Sequence, residues 1–98
     1  MKQPKVITEL QEAIEAMHGC RALYSRTVHV REVSRGEVIW DGFVRVFALA
    51  DCPKAKHCFA WSYREGGENK TMALLEIVPV DSPQAAVKAA IAAKARQK

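Results

Sequence analysis

Residues 27–47 read TVHVREVSRGEVIWDGFVRVF, and the alternation on either side of Ser34-Arg35-Gly36 decides the fold. Successive side chains leave opposite faces of an extended chain, so Val28 and Val30 point one way while Thr27, His29 and Arg31 point the other. β-Branched residues suit that pleated surface, and a glycine free to take positive φ suits the turn. The pattern predicts an antiparallel hairpin with strands over 22–33 and 37–49. Asp41-Gly42 is expected to mark a bulge in the second strand, because that strand is long. Along it Val38, Trp40, Val44 and Val46 share one face, and Ile39, Phe43, Arg45 and Phe47 share the other.

Downstream, Asp51-Cys52-Pro53-Lys54 reads as a turn, 57–64 as a third strand and Glu65-Gly66-Gly67-Glu68-Asn69 as a hairpin loop. A fourth strand over 70–78 ends at Pro79, which has no N–H to give to a ladder. Such short connections favour an antiparallel meander, since parallel strands need crossovers of about a dozen residues or more. Upstream, Ile7, Leu10, Ile14 and Met17 recur at helical spacing, which predicts a helix over 4–18 stopped by Gly19. At the other end, Asp81 or Ser82 caps a helix over 82–96. Pro83 takes its first position and Val87, Ala90, Ile91 and Ala95 form one stripe, with fraying expected beyond Arg96. The fold class is therefore α+β: a four-stranded antiparallel meander with a helix at each end, order αββββα, in two layers with both helices shielding one sheet face.

A chain of 98 residues with 49% hydrophobic and 27% charged residues fits one ordinary globular domain, 1–98. No run approaches the roughly 20 apolar residues of a membrane span, and Glu9, Glu12 and Glu15 interrupt any signal-peptide core near the N-terminus. The expectation is a cytoplasmic protein. The net charge of +4 resides in the last eleven residues, at Lys88, Lys94, Arg96 and Lys98; residues 1–87 balance eleven cations against eleven anions. Cations at a helix C-terminus complement its dipole, so this excess does not by itself define a phosphate-binding face.

Few residues suggest chemistry. Cys20, Cys52 and Cys58 leave one cysteine unpaired in any scheme, and reduced thiols are expected. Cys52, His57 and Cys58 lack the doubled ligand pairs of a zinc site, and adjacent His57 and Cys58 leave a strand on opposite faces, so no metal is expected. No phosphate loop, dinucleotide fingerprint or nucleophile elbow occurs, and no cofactor is expected. A thiol enzyme using Cys52 or Cys58 with His57 is an alternative; Lys54 and Lys56 would then favour the thiolate. Glu76, set among Leu74, Leu75, Ile77 and Val78, reads as an edge or surface carboxylate.

On the third strand His57, Phe59, Trp61 and Tyr63 share a face opposite Cys58, Ala60 and Ser62. That aromatic face has three readings: core beneath the helices, a homodimer interface, or a platform for stacking RNA bases with Arg31, Arg45 and Arg64 at the phosphates. The expectation is a small binding or interaction domain without catalytic machinery. Its candidate binding residues are Lys54, Lys56, His57, Phe59, Trp61, Tyr63 and Arg45. Nucleic-acid binding through the basic last helix and the aromatic face is the principal alternative.

The segments 36–42 (GEVIWDG), 53–61 (PKAKHCFAW) and 80–87 (VDSPQAAV) resemble a family of small uncharacterised bacterial proteins, over residues 22 to 91. The resemblance implies a stand-alone bacterial, cytoplasmic domain and assigns no activity. It also implies that histidine can replace Cys52, which weighs against thiol chemistry there. The loop from Asp51 to His57, basic and next to aromatic strands, is where a shared anion or partner site is expected.

Overall fold

The computed structural model describes residues 3–96; Lys98 and the fraying expected past Arg96 lie outside the described residues. Helix α1 spans Lys5–His18 and buries Ile7, Leu10 and Ile14, while Met17, the last residue of the expected stripe, stays exposed. Gly19 closes it in the left-handed conformation (φ 68°), its N–H donating to the Glu15 carbonyl at 3.0 Å. Strands β1 (Arg21–Ser34) and β2 (Glu37–Ala50) turn at Arg35-Gly36, both with positive φ, the geometry that matches the twist of a hairpin. β3 (His57–Glu65) and β4 (Glu68–Leu75) turn the same way at Gly66-Gly67, and helix α2 covers Pro83–Arg96. The four strands form one antiparallel sheet in the order β1-β2-β3-β4, so the α+β meander αββββα is the fold.

The helices do not share a face. Ile7, Leu10 and Ile14 of α1 pack on Ala22, Phe47, Cys58 and Ala60. Ala86 and Val87 of α2 pack on Val30, Val44, Val46, Phe59 and Trp61, the alternate residues of the same strands. The expected two-layer stack is thus corrected to three layers, with the sheet in the middle. The reason lies in β2 and β3, which are apolar on both sides: two helices on one face would leave Phe47, Cys58 and Ala60 in water.

Three further expectations change. The bulge is not at Asp41-Gly42, since Gly42 pairs in register with Val30. The ladder slips instead between Tyr24 and Arg26 and between Glu32 and Val33. Gly42 makes room for an indole: a Cβ there would stand 3.2 Å from Trp40 Cη2. β4 ends at Leu75, not at 78. The Glu76 N–H still donates to the His57 carbonyl at 2.9 Å, and Val80 then bonds back to the Ile77 carbonyl in a turn. Cys20 and Cys52 are joined as a disulfide (Cα–Cα 5.2 Å), where reduced thiols were expected. Pairing of Arg21 with Ala50 sets the flanking Cys20 beside the start of the β2–β3 loop, where Cys52 lies.

β2 and β3 pair only from Arg45–Ala60 to Ala48–His57. Past Arg45 and Ala60 their ladder stops, although β2 extends back to Glu37 and β3 onward to Glu65. The sheet forks there into a β1–β2 arm and a β3–β4 arm.

Candidate functional site

Helix α2 is fixed at its N-terminus by Ser82, whose Oγ accepts the Ala85 N–H at 3.1 Å and whose carbonyl accepts the Ala86 N–H at 3.0 Å. Ser82, not Asp81, is therefore the cap. A cleft opens beside each end of this helix.

The larger cleft, about 240 Å³, lies at the fork. Trp40, Trp61, Tyr63 and Met72 line it from the strands, and Ala90 and Ile91 from α2. Trp40 and Trp61 meet edge to face, ring centroids 5.5 Å apart at 74°, across the gap where the ladder is missing. Gly42, by having no side chain, leaves the Trp40 indole its place there. Arg64, Glu65 and Lys94 complete the lining. Glu65 is bonded by Lys70 Nζ at 3.0 Å, with Lys94 Nζ at 3.9 Å from its other oxygen. The Lys70 hydrogen bond and charge hold the Glu65 carboxyl below its ordinary range, and the same contact raises the Lys70 ammonium. With Glu65 matched to Lys70, the cleft retains Arg64 and Lys94 as excess positive charge.

The smaller cleft, about 110 Å³, lies at the N-terminus of α2, between Arg26, His57, Glu76 and Ser82. His57 Nδ1 and Glu76 Oε1 are 2.9 Å apart. A carboxylate that orients an imidazole is the geometry of a proton-handling pair. Beside it the Ser82 hydroxyl caps α2, and Cys58 leaves β3 on the opposite face. Among the described residues no three His, Cys, Asp or Glu side chains gather as a metal site.

The residues singled out in the sequence are divided by the fold. Trp61 and Tyr63 line the fork cleft, and His57 and Phe59 the smaller one. Phe59 and Trp61 are only 2% and 5% exposed, so the aromatic face is core under α2 and offers no open platform to a base. Arg45 lies on the other face, donating to Thr27 Oγ1 at 2.9 Å with its guanidinium 5.9 Å from the Phe43 ring centroid. Lys54 and Lys56 are exposed in the β2–β3 loop and line neither cleft. Cys52 is bonded to Cys20, and burial pushes the Cys58 thiol up to about 12, so neither supplies a thiolate near neutral pH. Sequence reasoning missed Trp40, Met72, Arg26 and the partnership of His57 with Glu76. Only Trp40 left a usable signal, sharing a face with Val44 and Val46.

One further surface stays open. On the α1 side of the β1–β2 arm, Phe43 is 58% exposed against His29 (ring centroids 5.3 Å), and His29 bonds Asp41 at 2.6 Å. No helix among the described residues is long and apolar enough to cross a membrane. Comparison with protein-family models, with curated proteins and with solved structures found no match, so the functional reading rests on the geometry of this chain.

Proposed function

We propose that this chain is a small non-catalytic binding domain whose ligand seats an apolar group in the fork cleft beneath α2. One observation carries the reading: β2 and β3 stop pairing after Arg45 and Ala60, and both tryptophans of the chain line the concavity left between them. Apolar, aromatic walls with a few charged groups at the edge are what small ligand sites are made of. Arg64 and Lys94 favour a ligand that also bears negative charge. The aromatic-platform part of the RNA reading loses its support because Phe59 and Trp61 lie under a helix, and the thiol-enzyme reading because Cys52 is held in a disulfide and burial raises the Cys58 thiol.

The test uses 8-anilinonaphthalene-1-sulfonate, an apolar anionic dye, and tryptophan fluorescence. Saturable one-to-one binding that quenches tryptophan is expected, weakened at least tenfold in Trp40→Ala and unchanged in Phe43→Ala, which alters only the open arm face. Equal binding in Trp40→Ala together with loss in Phe43→Ala would move the site to that face and overturn the proposal.

The bacterial cytoplasm, implied by the resemblance, belongs to this proposal only with Cys20 and Cys52 reduced, because glutathione and thioredoxin keep thiols reduced there. Trapping the cysteines by alkylation in intact cells decides it: a Cys20–Cys52 disulfide recovered from cells sinks the cytoplasmic assignment.

A further inference from the structure

We infer that the ligand of the fork is an extended acidic peptide segment, which adds a strand to the inner edge of β2 between Trp40 and Val44. This rests on the fork cleft being the binding site. The backbone supplies the first argument. On the β3 side, β2 has ladder partners only from Arg45 to Ala48, so between Glu37 and Val44 the alternate main-chain groups that do not bond β1 face the fork without a strand beside them. A row of unpaired N–H and C=O groups is a template for another extended chain, and main-chain pairing of that kind supplies affinity largely independent of sequence. β2 offers a longer free run than β3, whose unpaired part spans only Trp61 to Glu65.

The two faces of the fork supply the side-chain pattern. An added strand sends alternate residues to opposite sides. Those on the α2 side enter the cleft of Trp61, Tyr63 and Ile91, which takes an apolar residue. Charge complementarity sets the rest. Lys70 is paired with Glu65, and Asp41, bonded to His29 at 2.6 Å, has the Arg31 guanidinium 4.0 Å away as its countercharge. Arg64 and Lys94 remain at the cleft, with Arg45 on the opposite face already donating to Thr27 Oγ1, and guanidinium and ammonium donors suit carboxylates. The pattern read from the surface is an apolar residue alternating with acidic ones.

The probe is an acetylated, amidated hexapeptide in which glutamate alternates with leucine and valine, dye-labelled for anisotropy. Two variants accompany it: one N-methylated at every residue, which has no N–H to give to a ladder on either edge, and one with lysine for glutamate. We expect the parent peptide to bind and to displace 8-anilinonaphthalene-1-sulfonate. N-Methylation should weaken binding at least tenfold, the lysine peptide should bind at least tenfold more weakly, and Lys94→Glu, a change at an exposed site, should cost at least threefold. Exchange of the fork-facing amides among residues 40–44, those not bonded to β1, should slow when the peptide is bound. Equal affinity of the N-methylated peptide overturns strand addition, and equal affinity of the lysine peptide overturns the acidic preference. Dye binding without peptide binding overturns this inference and leaves the fork site standing, whereas absence of both removes the site itself. Protection of those fork-facing amides without peptide, accompanied by dimer in sedimentation, would assign the edge to a second copy and overturn it equally.

Discussion

Glu76 and His57 hold each other twice: the Glu76 N–H donates to the His57 carbonyl at 2.9 Å, and its carboxylate meets His57 Nδ1 at 2.9 Å. The main-chain bond continues the β3–β4 ladder one residue past Leu75, and the side-chain bond closes one wall of the smaller cleft. Both side chains are about a third or more exposed (40% and 33%), so the pair contributes modestly. Glu76→Ala should lower the unfolding free energy by about 1 kcal/mol, and Glu76→Gln by less because an amide oxygen still accepts from His57. Urea denaturation with an unchanged m-value checks this; a loss of 3 kcal/mol or more would mean that the segment after β4 unfolds with the bond.

Gly42→Ala tests how tightly Trp40 is placed. The new methyl would stand 3.2 Å from the indole, so the ring must give by a few tenths of an ångström. A stability loss of about 1 kcal/mol is expected, with a red shift of tryptophan emission. Unchanged emission would show that the indole has no fixed place there.

Cys58 gives a pH dependence with a defined sign. Burial raises its thiol from 9.0 to about 12, so the unfolded chain releases this proton at lower pH than the folded one. The contribution is fully present below pH 9 and falls as pH rises from about 9 towards 12. Cys58→Ala should flatten that part of the stability–pH curve, apart from a constant offset from the lost packing. Below pH 8 the wild-type thiol should resist alkylation in the native protein; modification at the rate of a free thiol would contradict its burial.

Reducing the Cys20–Cys52 bond releases a loop whose ends are 32 positions apart. The chain-entropy argument puts the loss at about 3.7 kcal/mol. Unfolding midpoints measured with and without reductant, and in Cys20→Ser with Cys52→Ser, should agree with each other and fall below the oxidised wild type. No difference on reduction would show that the two sulfurs are not bonded in solution.

The strands were readable because alternation is written residue by residue: Val28 and Val30 face α2 while Thr27 and His29 face away, as their spacing implies. The layering was harder. Apolar residues on both faces of β2 and β3 were visible, but nothing local to α1 or α2 states which side each will take. That choice depends on the connections and on Phe47 needing cover as much as Phe59. The slips near Ser25 and Ile39 carry no glycine or proline to announce them. The end of β4 was hidden by Ile77 and Val78, apolar residues that look like strand yet stand 48% and 86% exposed in the turn. The site was half legible. His57, Phe59, Trp61 and Tyr63 do line the two clefts, but Trp40, Arg26 and Lys94 reach them from distant parts of the chain, through contacts that no spacing encodes.

The seam from Arg45–Ala60 to Ala48–His57 also has a mechanical meaning. Two stiff ribbons meet along a short line of hydrogen bonds, with α1 crossing one side and α2 the other, so a torque between them concentrates at that line. Rotation about it alters the separation of Trp40 from Trp61 before it disturbs either ribbon, which makes the distance between those two indoles a gauge of how the halves of the molecule are set.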